Sequence, residues 1–166
     1  MCDIELRKAC AGDERILAYI QTESWKSAFS HILSAEELGK STNIDKCEEM
    51  YKRVLANPLI HVTIEFVNEK AHCIAAWSRN RSNLGDHIAE LICIHSLQDK
   101  WNKGYGSIMM HHILEQIQQE DYSEVILWVF EKNLRARKFY EKHGFHLSEI
   151  EKDSNGIIEL MYVKTL

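Results

Sequence analysis

The sequence predicts an α/β (α+β) fold, a mixed sheet with helices on its faces, from three observations. Strand-like apolar runs recur along the chain, several stretches carry apolar residues at helical spacing, and one strand–helix–strand stretch in the middle has the length of a right-handed crossover. The 166 residues suit a single domain, 1–166, able to bury a core without disulfides or metal.

Ile4 and Leu6 alternate with charged neighbours as in a strand, and Gly12-Asp13 offers a helix start ahead of Ile16, Leu17 and Ile20, with the helix reaching about Ser27. Ser34-Ala35-Glu36-Glu37 matches a capping box, in which the Ser34 hydroxyl and the Glu37 carboxylate each satisfy a backbone amide. Cys47, Met50, Tyr51, Val54 and Leu55 form one helical stripe that Asn57-Pro58 ends. From His61 the period becomes two: Val62, Ile64 and Phe66, a turn at Asn68-Glu69-Lys70, and a return over Cys73 to Trp77 predict a hairpin. His87 to Ser96 is a further strand, whose nearly continuous run Leu91 to Ile94 predicts burial on both faces.

Gly104 and Gly106 open a helix in which Met110, Ile113, Leu114 and Ile117 share a face, ending near Gln119. Val125 to Phe130 reads as a buried strand, and the next helix puts Ala136, Phe139, Tyr140 and His143 on one stripe, with Gly144 as its cap. Phe145 to Ile150 and Ile157 to Val163 are two last strands about an Asn155-Gly156 turn. The strands ending at Ser96 and Phe130, joined by one helix, should run parallel.

A formal charge of −5 and a pI near 6.0 argue against nucleic acid as a partner. No apolar run reaches the roughly 18 to 20 residues of a membrane span, and MCDIELRK carries no signal-peptide core, so a cytoplasmic protein with no membrane partner is expected. The five cysteines never form C-x-x-C and the adjacent His111-His112 face different ways on a helix, so no metal is expected. Between the strand to Ser96 and the next helix lies Asp99-Lys100-Trp101-Asn102-Lys103-Gly104-Tyr105-Gly106-Ser107. Glycines at a helix start let an anion approach bare N–H groups and the positive dipole end, so this loop suits a diphosphate. It matches neither a dinucleotide fingerprint, since Met109 stands where Gly or Ala is needed, nor a P-loop. A purely structural role for the two glycines is the alternative.

Three segments in order, Ala89-Glu90-Leu91-Ile92-Cys93-Ile94-His95-Ser96, Trp101-Asn102-Lys103-Gly104-Tyr105-Gly106, and Asn133-x-x-Ala136-x-x-Phe139-Tyr140-Glu141-x-x-Gly144-Phe145, resemble the GCN5-related N-acetyltransferase (GNAT) family over nearly the whole chain. The resemblance implies a mostly antiparallel sheet of about seven strands in which the parallel pair, His87 to Ser96 and Val125 to Phe130, splays to admit acetyl-CoA. It implies that Trp101, Asn102, Lys103, Gly104, Tyr105, Gly106 and Ser107 wrap the CoA pyrophosphate, with Trp101 standing where the family usually has Gln or Arg. Main-chain groups of Ile94, His95 and Ser96 would pair with the pantetheine arm, and Asn133 would hydrogen-bond it further along.

Acetyl transfer to an amine needs a neutral amine, a polarised carbonyl and a proton for the departing thiolate. An alkylammonium pKa near 10.4 against a thiol near 8.5 makes help to the amine the larger task. The resemblance assigns Tyr140 as general acid, and Glu90, fourteen positions before Gly104, as general base, with His95 the alternative base. Each has a plainer reading: Tyr140 as packing, Glu90 as a strand-start carboxylate paired with Lys or Arg, His95 as a hydrogen-bonded core residue. Trp25 and Phe29, in Ser24-Trp25-Lys26-Ser27-Ala28-Phe29, either line the acceptor pocket or pack in the core. The implied activity is acetyl-CoA-dependent N-acetyl transfer to a small-molecule or peptide amine in a ternary complex, by a possible homodimer. A non-catalytic acyl-CoA sensor or scaffold is the alternative.

Overall fold

Most elements form where the periodicity places them, but the strand expected over Phe145 to Ile150 runs from His146 to Ser154. The computed structural model describes residues 3–166. Their order is β1 (Ile4–Lys8), α1 (Glu14–Phe29), α2 (Ala35–Ser41), α3 (Ile44–Ala56), β2 (His61–Val67), β3 (Lys70–Arg79), β4 (Ile88–Ser96), a 3-10 turn (Gln98–Lys100), α4 (Tyr105–Gln119), β5 (Glu124–Phe130), α5 (Leu134–Lys142), β6 (His146–Ser154) and β7 (Ile157–Thr165). The strand order is β1-β2-β3-β4-β5-β7-β6. β1–β2, β5–β7 and β6–β7 pair antiparallel, whereas β4 and β5 run parallel, in register over Ile88–Glu90 against Glu124–Ile126. No helix among the described residues is long and apolar enough to cross a membrane.

Local chemistry explains the boundaries. The Ser34 capping box forms, its hydroxyl accepting the Glu37 N–H, and Asn43 and Asn133 cap α3 and α5 through the N–H groups of Lys46 and Ala136. At α1 the N-cap residue Asp13 makes no side-chain cap bond. Its carboxylate instead takes two Arg7 N–H groups, each at 2.8 Å, and the Cys10 N–H at 2.8 Å. Asn155 (φ 56°) and Gly156 (φ 84°) give the left-handed pair that a tight β6–β7 hairpin requires.

The chain falls into two compact units. The first comprises residues up to Ala76 with Cys93–Met109. Leu17, Ala18 and Ile20 of α1, Cys47 and Tyr51 of α3, and Val62, Ile64 and Ile74 of the sheet are buried in it. The Tyr51 hydroxyl donates to Gln21 Oε1 at 2.6 Å. Within this core lies one polar pair, Glu65 on β2 and His72 on β3. Both are fully buried, His72 Nε2 stands 3.7 Å from Glu65 Oε1, and none of their four side-chain polar atoms has a hydrogen-bond partner.

The second unit comprises Trp77–Ile92 and Met110–Leu166. Ile88, Ile126 and Met161 form a buried cluster against which Trp128 and Val163 pack. Trp77 is buried and its indole N–H donates to Gln116 Oε1 of α4 at 3.1 Å. β6 is exposed along nearly its whole length.

The Arg7 hydrogen bonds, opposed by burial, hold the Asp13 carboxyl at about 2, below its ordinary 3.8. A carboxyl depressed in the folded state adds stability that is complete above its unfolded pKa and is lost as pH falls through the folded one. Arg7 is 36% exposed, so solvent screening discounts the pair and about 1–2 kcal/mol should disappear between roughly pH 5 and pH 2. Urea unfolding of Asp13→Asn across that range should show a correspondingly flatter loss than the unaltered protein.

Candidate active site

In the first unit the chain leaves β4 at Ser96, makes its 3-10 turn and enters α4 at Tyr105. The positive φ of Asn102 (60°) and Gly104 (89°) swings the backbone into the helix, and the Gly104 carbonyl accepts the Ser107 and Ile108 N–H groups that begin it. At Gly104 a side chain would meet open space, so the conformation rather than crowding asks for glycine. The first turn of this fifteen-residue helix carries no acidic residue. Lys103 is exposed beside it, while Lys100 lies 3.6 Å from Asp99. An accessible helix start with a neighbouring cation fits the diphosphate of acetyl-CoA. Trp101 does not fill the Gln/Arg place as a polar arm: its indole N–H donates to the Ser96 carbonyl at 3.0 Å, folding the loop back onto the end of β4.

β4 is buried from Ile88 to Leu91 and half-buried from Ile92 to Ser96. Burial of the whole Leu91–Ile94 run, expected from its apolar continuity, is therefore corrected: only Leu91 is closed off, because the residues that follow extend past the three-residue register with β5. In this half-open stretch His95 meets Trp25 of α1, whose indole N–H approaches His95 Nε2 at 3.4 Å. Trp25 in turn packs edge-on against Phe29, ring centres 4.9 Å apart. Burial pushes the His95 imidazole down to about 4, so it is neutral at physiological pH. Trp25, Phe29 and His95 are thus one cluster. Tyr51 and Cys93 lie in hydrogen-bond contact in the same unit, and burial carries the Tyr51 phenol well above its usual range.

In the second unit Glu90 is buried, and Arg81 encloses its carboxylate. The Arg81 main-chain N–H donates to Oε2 at 2.9 Å, its Nε to Oε2 at 3.1 Å and an Nη to Oε1 at 2.6 Å. Burial raises the Glu90 pKa, but the Arg81 hydrogen bonds and charge outweigh it and leave the group below its ordinary value. Tyr140 is buried in α5 beside Phe139 and Phe145, at ring separations of 5.7 and 6.0 Å. Asn133, also buried, spends its Oδ1 on the Ala136 N–H. Arg137 of α5 donates to the Tyr162 hydroxyl at 3.1 Å and the Glu131 carbonyl at 2.9 Å.

Sequence reasoning missed Arg81 as the partner of Glu90, the Trp101 tie to Ser96, and the Glu65–His72 pair. A loop arginine nine positions before a strand glutamate has no periodic signature, so Arg81 was invisible. An unusual tryptophan at a loop position was the one visible hint of a local tie.

A model for the acetyltransferase (GNAT) family matches residues 20–145. Among solved structures, the PaiA N-acetyltransferase of Thermoplasma acidophilum, determined in complex with coenzyme A, superposes with a TM-score of 0.81 at 20% identity over 99% of each chain. A GCN5-related N-acetyltransferase from Rhodopseudomonas palustris gives 0.78 at 14% identity over 98% of this chain and 95% of that one. The ribosomal-protein-alanine N-acetyltransferase of Brucella melitensis gives 0.75 at 14% identity, covering 98% and 99%. No curated protein matches the sequence.

Arg81→Ala removes two of the three bonds to Glu90 and leaves its burial less opposed. A carboxyl NMR titration should then find the Glu90 pKa higher than in the unaltered protein; an unmoved titration would show that the guanidinium is not what holds it down.

Proposed function

The chain belongs to the GNAT acetyltransferase family, and from that premise we propose that it is an acetyl-CoA-dependent N-acetyltransferase acting on a primary amine of a small molecule or peptide by direct attack in a ternary complex. The observation that supports this most is the open start of α4, free of acidic residues and preceded by the left-handed Asn102 and Gly104. Acetyl-CoA supplies the activated acyl group as a thioester. Asn102, Lys103, Gly104, Tyr105 and Gly106 bind the diphosphate chiefly through main-chain N–H groups, and Ser107, whose N–H is taken by the Gly104 carbonyl, through its hydroxyl. Trp101 holds the loop to Ser96, while Ile94, His95 and Ser96 offer strand main chain to the pantetheine arm. Asn133 contributes to the same arm.

The amine nitrogen forms its bond to the acyl carbon as the carbon–sulfur bond breaks. One proton leaves the amine for a base, and the Tyr140 hydroxyl supplies a proton or hydrogen bond to the sulfur. His95 is the base we favour, because it stands next to Trp25 and Phe29, which line the acceptor side, and its Nε2 lone pair is held only by the long 3.4 Å contact from the Trp25 N–H, which it must release to take the proton. Glu90 is the second reading, favoured by its fourteen-position spacing from Gly104. Against it stands Arg81, which engages both of its oxygens.

Thiol release from acetyl-CoA over a panel of amines tests the proposal. His95→Gln should lower kcat by roughly 10² to 10⁴-fold, with Glu90→Gln changing it far less. The reverse ranking would move the base to Glu90. Tyr140→Phe keeps the ring between Phe139 and Phe145 and removes only the hydroxyl, so kcat should fall about 10 to 10³-fold with CoA affinity nearly constant. CoA binding without turnover on any amine would instead favour a sensor or scaffold.

A further inference from the structure

Glu65 and His72 are a buried pair that the proposed chemistry does not use. Neither side chain has a hydrogen-bond partner, and His72 Nε2 stands 3.7 Å from Glu65 Oε1. Polar groups so enclosed are costly to keep. His72 nevertheless holds two further contacts, at the two ends of one segment. Its main-chain carbonyl accepts the Leu97 N–H at 2.9 Å, where the chain leaves β4. Its ring lies tilted against the ring of Tyr105, the first residue of α4, with centres 5.0 Å apart. Between these points run the 3-10 turn, Trp101, Asn102 and Gly104.

We infer that His72, buried beside Glu65, is a positioning residue for the diphosphate loop, its main-chain carbonyl holding the Leu97 end and its ring bracing the Tyr105 end, so that the segment's main-chain donors are arranged before CoA arrives. This rests on the reading that the loop binds CoA. Ordering a loop in advance lowers the entropic cost of binding and leaves the ligand's own contacts unchanged. The device acts on the phosphate end of the ligand alone: pantetheine, which lacks the diphosphate, gains nothing from it.

Calorimetric titration of the full chain with CoA, alongside pantetheine followed by NMR, tests the assignment. His72→Ala would leave Glu65 buried alone and endanger folding, so the informative variant is Glu65→Leu/His72→Leu, which removes the polar pair and the ring but keeps the main-chain bond to Leu97. It should bind CoA about tenfold more weakly while pantetheine stays within about twofold. Tyr105→Leu, which leaves the buried pair untouched, should weaken CoA similarly, and the combined triple variant should be no weaker than the double. CoA binding by the double variant at unaltered strength, additive losses in the triple, or equal weakening of pantetheine would overturn the inference while leaving the acetyltransferase reading in place. Failure of the unaltered protein to bind millimolar CoA would overturn both.

Discussion

β4 and β5 run in the same direction, and that pairing governs what the middle of the chain can do. Parallel neighbours cannot be joined by a tight turn, so the chain must travel back the length of the strand, here through α4. The crossover delivers the start of a helix to the carboxyl end of β4, and the backbone must turn sharply to enter it. Left-handed Asn102 and Gly104 make the turn, and Trp101 closes it onto Ser96. Helix dipole, unobstructed main chain and the half-buried end of β4 thus come together in the first unit for reasons of connection alone. A parallel register of three residues is enough to impose that path.

Buried carboxylates are treated in two ways. Asp13 and Glu90 each receive an arginine and a main-chain N–H, and both are held below the usual carboxylate range. In each case the guanidinium reaches in from a more exposed position, so the acid can be interior while the arginine remains partly hydrated. Glu65 has no arginine, only the neighbouring imidazole of His72. The first arrangement fixes local backbone at a helix start and a strand. The second leaves polar capacity inside the sheet, in contact with the first residue of α4.

Elements whose signal is local were the legible ones. The Ser34 capping box, the α3 stripe and the Asn155-Gly156 turn are local patterns whose partners lie within a few residues, and each forms as read. β6 extends to Ser154 instead of stopping at Ile150 because its outer half, Glu151-Lys152-Asp153, buries neither face and so shows no alternation. Glu65 illustrates the opposite failure. In the pattern Val62, Ile64, Phe66 it occupies an outward position, yet β2 lies between β1 and β3 and is buried on both faces there, so alternation no longer separates core from solvent. The Trp25–His95 contact joins residues seventy positions apart, a distance at which a single sequence carries no pairing signal. The motifs named the loop and Tyr140, but not which groups would occupy the oxygens of Glu90.

The open outer edge formed by β6 also bears on how copies of this chain meet. Unpaired edge strands invite another strand, and the usual protection is charge. Glu149, Ile150, Glu151, Lys152 and Asp153 are all exposed along this edge, which is further interrupted by the irregularity between Leu147 and Glu151. Two such edges brought together antiparallel about Ile150 would set Glu149 of each copy opposite Glu151 of the other. That acid-on-acid meeting works against sheet extension from copy to copy, so crowding of this protein is resisted at the site where a β-sheet is most prone to polymerise.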